Sequence, residues 1–210
     1  MTAPLTFAFP KGRIAAQLAS LLARPPLGLP AFSGRDLVVE APEQGLRALL
    51  LKDFDVPTYV ARGVAEVGVV GSDVLEERES DLPTPLEFSF GRCRLVLLAP
   101  GSARELPTGR AVRVATKYTH LTREFFDQKG MAADVVSLAG SVELAPRMGL
   151  ADLVADLVDT GATMRANGLV ELETMREVSP RLVVSRAAIA RRRREVFRFA
   201  ELLEEMMAAA

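Results

Sequence analysis

The chain has 210 residues, 49% apolar and 25% charged, the balance of a globular protein that buries roughly 70% of its unfolded surface without disulfides or a structural metal. Lys plus Arg total 26 against 27 Asp plus Glu; the formal charge of −1 offers no generic attraction to nucleic acid or to an anionic membrane. A single cysteine, Cys93, excludes an internal disulfide, and a single histidine, His120, excludes multi-histidine metal sites.

In chain order, MTAPLTFAFPKGR lacks the basic start and apolar run of a secretory signal. No stretch reaches the ~18 apolar residues of a membrane span, so a cytoplasmic location is expected, in keeping with a free thiol. LTFAF (5–9) predicts a strand and Ile14–Ala23 a helix; LVVEA (37–41) and LRALLLK (46–52) follow as strands. Val56–Gly63 reads as a helix with Asp55 as its cap and Pro57 in its first turn. EVGVVG (66–71), RLVLLA (94–99) and AVRVAT (111–116) are further strands, then come helix Leu121–Gly130, strand DVVSL (134–138), helix Val142–Gly149 and strand LVADLV (153–158). Gly63, Gly130 and Gly149 fall at helix C-caps, and Arg186–Ala210 reads as one long helix.

Apolar strands alternating with helices imply sheets covered on both faces, hence the α/β class. ERESDLPTPLEFSFG (77–91) is polar and proline-bearing, and VSPRLVV (178–184) is a second weak point. Two crossovers suggest a lobe of 91–180 inserted into an outer lobe of 1–90 plus 181–210, with a ligand cleft between two α/β lobes.

The most informative stretch is ADLVADLVDTGATMRANGL (151–169). A buried strand runs into the turn DTGAT, followed by a helical or extended continuation. Gly161 lets the backbone approach a ligand, and Thr160 and Thr163 add hydroxyl donors. Successive amides of Thr160, Gly161, Ala162 and Thr163 would form a nest for a phosphate monoester. Asp156, ahead of the turn, is placed to accept from sugar hydroxyls. The same spacing also describes an ordinary strand–turn–helix in which Asp159 or Thr160 is the cap.

Other segments match one family in the same order: FPKGRI (9–14), DVPTYVARGVAEVGVVGSDVL (55–75), FGRCRLVLLA (90–99), RVATKYTHLTREFF (113–126) and GSVELAPRMGLADLVADLVDTGATMRANGLVE (140–171). Together they touch nearly the whole chain. They resemble the ATP phosphoribosyltransferase family in its short form, the first enzyme of histidine biosynthesis. The resemblance implies attack by N1 of the ATP adenine on C1 of phosphoribosyl pyrophosphate, with loss of pyrophosphate. It implies Mg²⁺ as counter-ion to the pyrophosphate, held mostly by substrate and water rather than by a dedicated protein site. It also implies a histidyl-tRNA-synthetase-like regulatory subunit in a hetero-octamer, a homodimer of the catalytic chain, and the bilobal arrangement of periplasmic-binding-protein type II folds. No nucleic-acid or membrane partner is expected.

Residue roles follow from the same resemblance. Asp159, Thr160, Gly161, Ala162 and Thr163 would cradle the 5-phosphate, and Glu143 and Asp156 would face the ribose hydroxyls. Lys11 and Arg13, in a PKGR turn after a strand, and Lys52 would offset pyrophosphate charge; solvated surface cations are the plain alternative for the first two. Gly71 and Asp73, in the GSD turn, are assigned to the same site. Arg94, Lys117, Tyr118 and Thr122 are candidate liners on the adenine side, with Tyr118 either stacking on the base or packing in the core.

The chain departs from the family pattern at several places. Lys52 stands where arginine is usual, Ser72 where lysine is common, Ala65-Glu66 for Ala-Asp, and Thr119-His120 for Pro-Asn. Cys93 reads as a small strand hydrophobe, His120 as a loop or helix-start residue, and Arg191–Arg194 as a solvated helix face or a subunit contact. A solute-binding module would share the architecture, but would normally carry an export signal. Salvage phosphoribosyltransferases usually place adjacent acidic residues ahead of the loop, whereas Asp156 and Asp159 are separated by Leu157-Val158.

Overall fold

The structure, a computed structural model, describes residues 3–101, 106 and 109–209; Met1 and Thr2 of the N-terminal segment and Ala210 of the C-terminal helix reading lie outside them. The chain divides into two compact units, Met1–Leu75 with Glu79–Gly91 and Ser179–Ala210, and Glu76–Arg78 with Arg92–Val178.

The first unit contains β1 (Leu5–Pro10), α1 (Ala15–Leu22), β2 (Val38–Ala41), β3 (Leu46–Leu51), α2 (Val56–Ala61), β4 (Val67–Gly71) and α3 (Ser72–Glu77), whose last two residues fall in the second unit. β5 (Leu86–Glu87), β11 (Pro180–Val184) and α6 (Arg186–Ala208) complete it. The strand order is β2-β3-β1-β4-β11-β5, with β1 parallel to both β3 and β4. The central strands are unbroken apolar runs because both faces are covered. Phe7 and Leu182 point into one cluster with Leu18, Leu22, Val196, Phe199 and Leu203, while Ala8 and Val70 meet Val56, Val60 and Val74 on the other side. Pro57 does occupy the first turn of α2, but the Asp55 carboxylate makes no capping hydrogen bond.

Helix α6 is not a continuous rod. Arg192 has φ −136° and ψ 33°, and its guanidinium turns back to the chain start, donating to the carbonyls of Ala3 (2.8 Å) and Pro4 (3.3 Å). It also pairs with Glu195 and with Glu66 (3.5 Å), whose other oxygen accepts the Thr6 amide at 2.8 Å. The solvated-face reading of Arg191–Arg194 therefore fails at Arg192, where the side chain fastens strand to helix.

The second unit contains β6 (Cys93–Pro100), β7 (Val112–Thr116), α4 (Thr119–Gln128), β8 (Ala133–Ser137), β9 (Leu153–Val158), α5 (Ala162–Ala166) and β10 (Leu169–Val178). Its order is β10-β6-β9-β7-β8; β7 is parallel to β8 and β9, and β6 is antiparallel to β9 and β10. One expectation changes here. The helix expected over Val142–Gly149 is a single 3₁₀ turn, Val142–Leu144, followed by turns, because Pro146 supplies no amide to a longer helix. The weak point over 178–184 is where the chain passes from one unit to the other, with Ser179 between β10 and β11. Among the described residues no helix is long and apolar enough to cross a membrane.

A half-buried carboxylate secures one end of the second sheet. Asp152 accepts from Arg110 (2.7 Å), from the Arg113 guanidinium (2.8 Å) and from the Arg113 amide (3.0 Å). Hydrogen bonds from Arg110 and then Arg113 hold its pKa well below the usual carboxylate range. The stabilisation is present above the unfolded-state pKa of about 3.9 and is lost as pH falls towards the lower folded value. Asp152→Asn is expected to cost about 1–2 kcal/mol at pH 7, with the gap to wild type narrowing below about pH 4. Urea melts of both proteins across that range check it; a gap independent of pH would contradict it.

Candidate active site

In open α/β sheets, ligands gather where parallel strands end at their carboxyl edge. In the first unit, β1, β3 and β4 provide that edge. Pro10 pairs with Leu51, and the Lys11 amide donates to the Leu51 carbonyl at 2.7 Å, so Lys11 and Lys52 leave adjacent strands side by side, both exposed. Arg13 is also exposed and donates to the Gly91 carbonyl, which fixes the PKGR turn. On the other side of β1, strand β4 ends at Gly71. Asp73 is buried, its carboxylate folded over Gly71 so closely that a Cβ there would lie 2.0 Å from Oδ1. Only glycine leaves that carboxylate its place. Ser72 is buried and exchanges hydrogen bonds with Ser179: its amide donates to the Ser179 carbonyl at 2.9 Å and its hydroxyl accepts the Ser179 amide at 3.2 Å. That position serves the joint of β4 and β11.

In the second unit the corresponding edge is formed by β7, β8 and β9. Asp156 is half-buried near the end of β9, and Asp159 and Thr160 are exposed in the turn beyond it. Gly161 is the N-cap of α5 with φ 74°, a left-handed conformation that other residues adopt at a cost. The first amides of a helix have no intrahelical partner, so Ala162 and Thr163 present N–H groups at the turn. Met164 anchors α5 on the apolar cluster of Val142, Val154 and Val158. The same cluster takes Val142 and thus seats the 3₁₀ turn that carries Glu143, half-buried, behind left-handed Ser141 (φ 50°). Acid and turn are therefore brought to one edge by one apolar anchor.

Arg165 was not singled out by the sequence reading. It reaches back over the turn, donating to the Thr160 carbonyl at 2.9 Å and lying 2.8 Å from where a Cβ on Gly161 would be. Its signal was weak, one helical turn after Gly161 in a stretch whose helix is only five residues long.

The adenine-side candidates separate. Tyr118 is fully buried, with the Lys117 ammonium 4.9 Å from its ring centroid, so the packed alternative is the one the structure supports over base stacking. Thr122 is equally buried, and its Oγ1 has no hydrogen-bond partner. Arg94 forms a two-pronged contact with Glu171, one prong at 3.0 Å, and a bond to Thr174 at 3.1 Å, so its guanidinium is held on the β6–β10 face. Lys117 remains half-buried at the carboxyl end of β7, next in register to Asp156, since Thr116 pairs with Ala155. Cys93 is buried in β6, as a strand hydrophobe should be. Among the described residues no three His, Cys, Asp or Glu side chains cluster as metal ligands. The exposed cations in the first unit and the amide-bearing turn in the second suit polyphosphate and phosphate groups.

Comparison with known proteins gives a consistent answer. The family profile described as HisG, ATP phosphoribosyltransferase, matches residues 52–207. ATP phosphoribosyltransferase of Syntrophotalea carbinolica is 46% identical over 97% of this chain and 95% of that protein. The Anaeromyxobacter sp. (strain K) enzyme of the same name is 45% identical over 98% and 95%. Among solved structures, the ATP phosphoribosyltransferase HisG:HisZ complex of Thermotoga maritima superposes with TM-score 0.86 at 33% identity, covering 98% of this chain and 100% of that one. The aliphatic sulphonate binding protein SsuA of Escherichia coli superposes at TM-score 0.63 over 99% of this chain and 70% of that one, with 14% identity. This likeness shows the shared type II binding-protein fold alone.

Proposed function

From the premise that the chain belongs to the ATP phosphoribosyltransferase family, we propose how its residues divide the work of the transfer. The reaction is the first step of histidine biosynthesis, catalysed by a pentosyltransferase. N1 of the ATP adenine forms a bond to C1 of the phosphoribosyl unit. The C1–oxygen bond breaks, and its electron pair leaves on pyrophosphate.

Such a displacement passes through a sugar with cationic character, so the protein needs positioning and charge stabilisation rather than a nucleophile of its own. Lys11, Arg13 and Lys52 take the developing pyrophosphate charge. Gly71 and Asp73 shape the same strand-end edge. The turn Asp159–Thr163 holds the 5-phosphate through the amides of Thr160, Gly161, Ala162 and Thr163, with Arg165 beside it. Glu143 and Asp156 accept from the ribose hydroxyls, and Lys117 serves the ATP side. Mg²⁺ bound with the pyrophosphate substrate would supply charge shielding there, beside Lys11, Arg13 and Lys52. The observation that carries this reading is the meeting of the Gly161 turn with Asp156 and the Glu143 turn at one strand-end edge.

The working assembly is a hetero-octamer in which a dimer of this chain associates with a histidyl-tRNA-synthetase-like subunit. Support comes from the 33% identical relative, solved as a HisG:HisZ complex. A cytoplasmic location accords with membership of a histidine-biosynthesis family.

The deciding experiment is mass-spectrometric detection of phosphoribosyl-ATP. The purified chain is incubated with ATP, phosphoribosyl pyrophosphate, Mg²⁺ and pyrophosphatase, with and without the regulatory subunit. Product in either mixture is the expected result; none in both, from folded protein, would overturn the assignment. Asp156→Asn is expected to lower kcat/KM for phosphoribosyl pyrophosphate at least about tenfold, or ~1.4 kcal/mol. Unchanged kinetics in the folded variant would remove Asp156 from the site.

A further inference from the structure

Helix α4 begins where β7 ends, so its first turn sets the backbone from Lys117 onward. That turn is not capped from within. Tyr118, the N-cap residue, makes no side-chain cap hydrogen bond. The cap is Glu77 instead, 42 to 44 residues earlier in the chain. One carboxylate oxygen accepts from the Thr119 hydroxyl (3.2 Å) and the His120 amide (3.0 Å), and the other accepts the Leu121 amide at 3.0 Å. A carboxylate at this end also offsets the positive pole of the helix.

The preceding residue is held separately. Arg176 on β10 bridges Glu76 (3.4 Å) and Glu124 of α4 (2.9 Å). On the other flank of the capped turn, the Thr116 hydroxyl accepts the Tyr118 amide at 2.9 Å and donates to the Ala155 carbonyl of β9 at 2.7 Å. Lys117 thus lies between two anchored points, Thr116 tied to β9 and Thr119 tied to Glu77. A lysine ammonium on four rotatable bonds is placed only as well as its backbone is placed, so the cap governs where the charge sits.

We infer that Glu77 is a positioning residue for the transfer reaction: by capping α4 it holds Lys117 at the carboxyl end of β7, where that cation meets ATP. This rests on the assignment of Lys117 to the ATP side. Glu77 touches no substrate and moves no proton; it acts through the turn.

The test compares Glu77→Ala, Glu77→Gln and Glu76→Ala in the complex with the regulatory subunit, with steady-state kinetics for each substrate and thermal melts in parallel. Glu77→Ala is expected to raise KM for ATP about tenfold and leave KM for phosphoribosyl pyrophosphate within about twofold. Glu77→Gln keeps one oxygen for Thr119 and His120 and loses the acceptor for Leu121, so it should fall between Glu77→Ala and wild type. Glu76→Ala breaks the neighbouring ion pair without touching the cap and should keep the wild-type KM for ATP. Equal rises in both KM values, a Glu76→Ala effect as large as that of Glu77→Ala, or no change in folded Glu77→Ala would each overturn the inference. Should Glu77→Ala fail to fold, the KM for ATP of Glu77→Gln decides alone, and a wild-type value overturns the inference. A wild-type complex that makes no phosphoribosyl-ATP would instead refute the assigned reaction, so the two failures are distinct.

Discussion

Gly161→Val is expected to lower kcat/KM for phosphoribosyl pyrophosphate by about 100- to 1,000-fold, or ~3–4 kcal/mol. Gly161 sits at φ 74°, and a left-handed backbone costs an L-residue roughly 1–2 kcal/mol, more when it is β-branched. The new Cβ would lie 2.8 Å from Arg165 Nη1 and 3.3 Å from the Met164 methyl. The turn escapes this strain by rotating the peptide planes around position 161. Rotation aims the flanking amides away from a bound phosphate, and each charge-assisted bond lost is worth about 1.5–3 kcal/mol. Gly161→Asn is the informative partner, because asparagine tolerates the left-handed region and the crowding atom is the movable end of an arginine. Its loss should be about tenfold. The loss should appear in KM for phosphoribosyl pyrophosphate more than in KM for ATP. A folded Gly161→Val enzyme with a normal KM for phosphoribosyl pyrophosphate would take the turn out of the site.

The double substitution Lys11→Met with Lys52→Met is expected to lower kcat by about 1,000-fold, each single change by roughly 10- to 100-fold. Both lysines leave the carboxyl ends of adjacent parallel strands, joined by the 2.7 Å bond from the Lys11 amide to the Leu51 carbonyl. Their charges act on one leaving group, so the two effects should not be independent. Both side chains are exposed, so removing them should leave the melting temperature nearly unchanged. Lys52→Arg should keep kcat within about threefold, since the charge stays at the same strand end and gains a forked donor. Inhibition by added pyrophosphate gives a second readout, expected to weaken in the double variant. Unchanged turnover and unchanged pyrophosphate inhibition would leave these lysines as surface charge.

Much of the architecture was legible because buried parallel strands must be apolar throughout. LTFAF, EVGVVG, AVRVAT and LVADLV all became strands at or within a few residues of the expected bounds. The strand Leu169–Val178 escaped because it lies at the sheet edge, carries Glu171, Glu173, Arg176 and Glu177, and slips register twice against β6. A charged edge strand has no apolar period to read. Residues 142–149 looked helical by apolar spacing, and Pro146 decided otherwise.

Composition and local pattern by themselves determined the α/β class, the absence of a disulfide or multi-histidine site, and the strand–turn–helix around DTGAT. Each depends on nearby residues or on simple counts. Contacts across the chain lay outside that reach. Arg94 carries no local sign of Glu171, 77 residues away, which pairs with its guanidinium; Tyr118 is open to stacking or packing by its sequence, and burial puts it in the core. Arg192 read as surface charge until it met Ala3, Pro4 and Glu66. Glu77 carried no signal at all until the fold set it over the first turn of α4. A side chain's local sequence sets what it is able to bond, but only the tertiary fold brings the partner within 3 Å, and hydrogen bonds and ion pairs weaken steeply beyond that distance.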